Sequence, residues 1–258
     1  MKISDPQSIR NVTIVGEPQE TTALIRRLCR RPAGNGSRSA VTVDWVTDHV
    51  EHRVRLTELS SHAPIAELER AIRTADGVVV LMNAAATSAP RVEALLRVAD
   101  DHQVARLCLV RGLDDAAADF GHCVRTVAAT RGAVPLTLQI PLGIGAEFGG
   151  VIDVVSMWEL EPMADEFFGN HWPVAEQRYH ELVEAVSAQD TARPHMPSTG
   201  MPPHQLYDRI RRLTRIGDVV PVLCDAWPHT DDIAGLLDAM VRYLPSPMHV
   251  CQPEHALD

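Results

Sequence analysis

The sequence predicts an α/β protein in three layers: a mostly parallel sheet with helices on both faces. Three observations point to it. The stretch from His52 to Asn83 reads as strand, loop, helix and buried strand, the βαβ unit of a parallel sheet. Val78–Met82 and Leu107–Val110 are apolar without alternation, which suits strands covered on both faces. A β-branched run, Val12-Thr13-Ile14-Val15, ends at Gly16 and leads into a short loop and a helix. In such sheets ligands sit beyond the carboxyl ends of the strands. The loop Glu58–Pro64 is therefore where chemistry is expected.

In chain order, Arg10–Gly16 is the first strand and Glu17–Glu20 a loop. A helix is expected from Thr21-Thr22 through Leu24, Ile25, Leu28 and Cys29. Val41–Val46 alternates and is expected to pair antiparallel with His52–Thr57 across the turn Thr47–Glu51. Ile65, Leu68, Ala71, Ile72 and Ala75 fall on one helical face. Asp76-Gly77 should close that helix, with Gly supplying a left-handed cap. Helices follow near Pro90–Ala99 and Asp119–Arg131, flanking the strand Arg106–Val110. Val174–Gln189 and His204–Arg215 read as helices, and 192–203 as a proline-rich loop. Val219–Leu223 is the last strand.

Composition narrows the function classes. A formal charge of −10 over 258 residues argues against a broad phosphate-binding surface. No run approaches the roughly 18 apolar residues of a membrane span, and a cytoplasmic location is expected. The five cysteines are scattered with no C-x-x-C pair, so they read as buried thiols rather than a disulfide frame or zinc site. Histidines show no paired spacing, and no metal is assigned. Lys2 is the only lysine in the chain. No chemistry that needs an internal lysine can occur.

That matters for the strand–Gly–helix outline at Gly16, which has the shape of a phosphate loop. A working loop reads G-x-x-x-x-G-K-[ST], with backbone N–H groups and Lys on the phosphates and a hydroxyl on magnesium. Counting from Gly16 puts Thr21 at the second Gly, Thr22 at the Lys and Ala23 at the hydroxyl, while Glu17 and Glu20 add negative charge.

These residues belong to a wider pattern. RNVTIVG at Arg10–Gly16, HRVRL at His52–Leu56 and ERAIRTADGVVVL at Glu69–Leu81 resemble the GTPase domain of bacterial elongation factor G and related translation GTPases. So do Val134–Met157, Val219–Trp227 and Leu236–Pro247. The resemblance implies a phosphate-loop-type sheet, with residues 1–134 as its first part and 135–216 as an insertion subdomain. It makes 217–247 the last strand and helix and 248–258 a tail, with a further domain expected in the family beyond this point.

The resemblance also locates the family's motifs. Its D-T-P-G-H loop falls on Glu58–His62, which places Glu58 at the magnesium-shell Asp, Ser61 at the phosphate-facing Gly and His62 at the water-positioning His. Its guanine-reading N-K-x-D falls on Arg111–Asp114, where only Asp114 is retained; a helix cap is the plainer role for that residue. The final base-contacting loop falls near Asp225-Ala226, and the nucleotide-sensing loop is shortened to residues 31–41. No GTP or magnesium is therefore expected, and the remnant positions are Gly16, Thr21, Thr22, Glu58, His62 and Asp114.

The expected function is a non-hydrolysing scaffold or partner-binding module with this fold. Two alternatives stay open. One is an unorthodox GTP-binding protein or GTPase in translation; the other is a ribosome- or RNA-associated protein acting through Arg209, Arg211, Arg212 and Arg215.

Overall fold

The computed structural model describes residues 5–29, 40–86, 90–132, 134–163, 169–192 and 201–249. Its main strands are β1 Ile9–Gly16, β2 Ala40–Thr47, β3 Val50–Ser60, β4 Gly77–Asn83, β5 Ala105–Arg111, β6 Val134–Thr137 and β9 Val219–Cys224. They form one seven-stranded sheet in the order β2-β3-β1-β4-β5-β9-β6. In it β2 runs antiparallel, pairing with β3; every other neighbour is parallel. The last strand joins as expected, with Cys108 opposite Val222.

Helices cover both faces because the buried strands are apolar on both. On one face α1 (Pro18–Cys29) and α7 (Ala234–Tyr243) pack Leu24, Leu28, Leu237 and Met240 over Ile14, Leu56 and Leu107. On the other, α2 (Ile65–Arg73), α3 (Pro90–Asp101) and α4 (Phe120–Ala129) pack Leu68, Ile72, Leu95, Leu96 and Val127 over Val78, Val80 and Val110. Fully burying one side chain of this size contributes about 1.5–3 kcal/mol.

The region after β6 leaves the sheet and returns to it. It contains the hairpin β7 (Gln139–Leu142) and β8 (Gly150–Asp153), then α5 (Trp172–Gln189) and α6 (Pro203–Ile216). Tyr179, Val183, Leu206, Ile210 and Leu213 from these two helices lie in the same core cluster as Ile14 and Leu107. Helix α6 packs on β5, β9 and α7. The expected boundary at residue 135 falls inside β6, which pairs with β9 in the main sheet (Pro135 opposite Val220). Being an edge strand, β6 tolerates Pro135. The segment therefore does not stand apart: it shares the core of the sheet.

One further expectation is corrected. Gly77 is not a left-handed cap but the first residue of β4, and α2 ends at Arg73 with Thr74 in right-handed geometry. Gly77 is required by packing, since a Cβ there would lie 2.7 Å from the Leu244 side chain. Arg10, in the first strand, is buried and structural. Its Nε and Nη2 donate to the Leu244 and Val241 carbonyls at 3.0 and 3.1 Å, closing the end of α7. Burial, then the neighbouring Arg215 and Arg211, push its pKa down to about 10.

The β2–β3 turn places two non-glycine residues, Asp48 and His49, at φ of 50° and 62°. That is the type I′ geometry that favours Asn-Gly. His49→Gly relieves the left-handed strain but loosens the unfolded chain, so the expected net gain is about 0.5–1 kcal/mol. Urea denaturation measures it. A loss of stability would mean that His49 makes a contact worth more than the strain.

Candidate functional site

The carboxyl ends of β1, β3, β4, β5 and β9 converge on one edge of the sheet, and every site residue named from the sequence except the α6 arginines lies there. The β1–α1 connection is shorter than expected. Helix α1 starts at Pro18, not at Thr21, so Glu17 alone separates it from Gly16. The amides of Glu20 and Thr21 donate to the Glu17 carbonyl, both at 3.0 Å, forming the first turn. Proline at a helix start fits this geometry because its missing N–H has no partner to lose. Gly16 is explained by packing: a Cβ would sit 2.7 Å from Leu81 Cβ on β4.

The polar groups around Glu17 and Glu58 satisfy one another. Glu58 Oε1 accepts from the Thr21 and Thr22 hydroxyls, each at 2.6 Å. Glu17 Oε1 accepts from the Ser61 hydroxyl at 3.1 Å, and Glu17 Oε2 lies 2.7 Å from His62 Nε2. The Ser61 amide donates to the Gly16 carbonyl at 2.8 Å. Ser61 and His62 thus both address Glu17 rather than each other, and a hydrolytic triad requires the Ser–His link. Asn83 Nδ2 donates to Glu20 Oε1 at 2.7 Å, which links β4 to α1.

At the adjacent position lies a network that sequence reasoning missed. Asp225, at the end of β9, is 6% exposed. Arg27 Nη1 contacts both its carboxylate oxygens at 2.9 and 2.8 Å, and Arg111 Nε donates to Oδ2 at 2.8 Å. Arg111 Nη1 also donates to the Glu20 carbonyl at 2.9 Å, and Arg27 Nε to Asp231 at 2.8 Å. A signal was present: Arg111 and Asp225 depart from the resembled motifs with opposite charges, at loops that meet in space. Charge complementarity between two departures is what a compensating pair leaves in a sequence.

Asp114 lies exposed beyond β5 and does not cap a helix. The α4 cap is Asp119, whose carboxylate accepts from the His122 amide at 2.7 Å. That bond, ahead of the Arg125 charge, lowers the Asp119 pKa. Asp114, Arg111, Glu20, Asn83 and Trp227 border a cleft of about 330 Å³. Arg27 also stacks on the Trp227 ring, its guanidinium carbon 5.1 Å from the ring centroid.

The α6 arginines lie away from this edge and are largely engaged within the fold. Arg209 is 4% exposed. It and Arg212 pair with Asp190, the residue closing α5. Arg211 Nε donates to the Arg242 carbonyl. Arg215 is partly buried, and burial followed by the Arg211 charge lowers its pKa. The nucleotide-sensing segment expected at residues 31–41 lies outside the described residues up to position 39. Among the described residues, no group of three or more His, Cys, Asp or Glu is placed to hold a metal ion. No helix among them is long and apolar enough to cross a membrane.

No protein-family profile matches the chain. The sequence is 29% identical over 278 aligned residues to elongation factor G of Fervidobacterium nodosum, an alignment covering 95% of this chain and 40% of that protein. A crystal structure of a Thermus thermophilus protein matches with a TM-score of 0.71 at 20% identity, over 94% of this chain and 41% of that one. The latter shows a shared fold. The chain spans about two fifths of the length of each relative.

Proposed function

We propose that this chain, a relative of the elongation factor G GTPase domain, is a non-hydrolysing, partner-binding form of that domain. The observation that carries the reading is the one-residue β1–α1 connection, with the Glu17 carboxylate at the start of the helix. A phosphate-binding helix start presents free N–H groups in a loop wide enough to surround the anion. Here the connection is too short to surround anything, Pro18 has no N–H to give, and Glu17 would repel a phosphate. The position that would offer magnesium a hydroxyl is Ala23, and the two hydroxyls of the first turn, Thr21 and Thr22, are held by Glu58. Where a guanine base would be read, Arg111 is drawn to Asp225. These residues do not fit a magnesium–triphosphate.

The expected result of titrating GTP with magnesium, by calorimetry and thermal shift, is no saturable binding in the micromolar range. Each lost charge-assisted hydrogen bond is worth about 1.5–3 kcal/mol. Two or three of them turn a micromolar site into one of about millimolar or weaker. Thr22→Lys alone should not restore binding, because Glu17 and Glu58 remain. Saturable micromolar binding with guanine preferred over adenine would overturn the reading.

A further inference from the structure

We propose that the cleft between β4, β5 and the segment after β9 receives the guanidinium group of an arginine carried by a protein partner, held against the Trp227 ring by the Asp114 carboxylate. The inference rests on the reading that this cleft does not hold guanine, and goes beyond it by naming the occupant.

The cleft measures about 330 Å³ and is lined by both Asp114 and Trp227, of which Asp114 has no structural task in the fold while Trp227 already carries Arg27 on its ring. Asp114 is exposed at its rim and has no hydrogen-bond or ion-pair partner among the described residues. The helix-capping role falls to Asp119 instead. Trp227, a large aromatic side chain, is left 42% exposed beside it. An aromatic face next to an unpaired carboxylate suits a planar cation that can stack and donate two parallel hydrogen bonds.

The charge around the cleft selects the same sign. Glu20, Asp114 and Asp225 border it with Arg111, while Arg27 beside them is paired with Asp225 and Asp231. Arg111 is already engaged by Asp225 and the Glu20 carbonyl. The Glu20 carboxylate accepts from the neutral Asn83 amide, which leaves its charge in place. Along the same edge, Glu17 and Glu58 stay exposed. With a net charge of −10 over the chain, this edge attracts a basic protein surface and repels phosphate-bearing ligands.

The chain also shows the chemistry once within its own fold. Arg27 lies over the Trp227 ring at 5.1 Å while meeting both oxygens of Asp225. The cleft offers the same indole and a second carboxylate for an incoming guanidinium. A lysine ammonium lacks the planar face that stacks, so arginine is preferred.

Titration of the full chain with N-acetyl-arginine N-methylamide tests the proposal, followed through the indole N–H resonances of the four tryptophans. The Trp227 signal is assigned with Trp227→Phe. The expected result is a saturable shift of that signal alone, with a Kd on the order of millimolar for so small a probe. Asp114→Asn should weaken binding about tenfold, the loss of one charge-assisted pair, and leave the melting temperature unchanged. The N-acetyl-lysine counterpart should bind several-fold more weakly. An unshifted Trp227 signal, equal binding by Asp114→Asn, or equal response to the lysine probe would each overturn the proposal. The same spectra separate the two readings. Micromolar GTP moving Trp227 would remove the proposed function as well, whereas silence to both GTP and the arginine probe would remove only this inference.

Discussion

Asp225→Ala should lower the unfolding free energy by about 3–5 kcal/mol, because it takes the carboxylate from the buried Arg111 guanidinium and leaves Arg27 with the half-exposed Asp231 alone. Asp225 meets Arg27 through both oxygens and Arg111 through one, at 2.8–2.9 Å, and all three residues are buried. Taking a charge out of water is costly, and here one buried carboxylate serves two such charges, with Asp231 helping only at Arg27. The substitution also frees Arg27 from its place between Asp225 and the Trp227 ring. At roughly 2–4 °C per kcal/mol for a chain of this size, the melting temperature should fall by about 10 °C. Urea denaturation with an unchanged slope would assign the loss to the native state. A loss under about 1 kcal/mol would mean that water reaches both guanidinium groups, as it does at exposed ion pairs.

Asp190→Ala is expected to cost a similar amount, about 3–5 kcal/mol. Asp190 is 1% exposed and closes α5, and it faces the buried Arg209, together with Arg212, on α6. Removing it takes a buried counter-charge from Arg209 in the core that joins the two helices. The double variant Asp190→Leu/Arg209→Met should cost less than either single change, because removing both charges removes the desolvation cost along with the attraction. Additive losses in that cycle would show that the two residues act independently.

These two networks also mark where the sequence is legible and where it is not. The sheet is readable because its signal is local. Val78–Met82 and Leu107–Val110 are unbroken apolar runs, and they form β4 and β5 within a residue or two. The alternation of Val41–Val46 identifies the antiparallel edge strand. The start of α1 is harder to place, because the outline of a phosphate loop outweighs Pro18, the helix-start signal that proves decisive. Strand β6 hides in the insertion because its four residues include a proline and carry no period. The α6 arginines read as a solvated or RNA-facing surface because their partner, Asp190, lies at the end of another helix. Periodicity assigns a face but cannot name what covers it. At the site, single departures such as Glu58 and Arg111 are visible one by one. What they do together is not, since the Thr21–Glu58–Thr22 and Arg27–Asp225–Arg111 connections join residues 36 to 198 positions apart.

The return of α6 onto β5, β9 and α7 has a mechanical meaning. Many nucleotide-driven proteins work by a hinge, two bodies that each keep their own interior and rotate about a few linking residues. Here the described residues of the excursion after β6 share one core with the sheet. Leu206, Ile210 and Leu213 interlock with the residues beneath the sheet, and a close-packed interior does not slide by fractions of an ångström without loss. No pivot separates the described parts of the excursion from the sheet edge at Glu17 and Glu58. Among the described residues, α5, α6 and the sheet therefore form one packed body rather than two that meet at a joint.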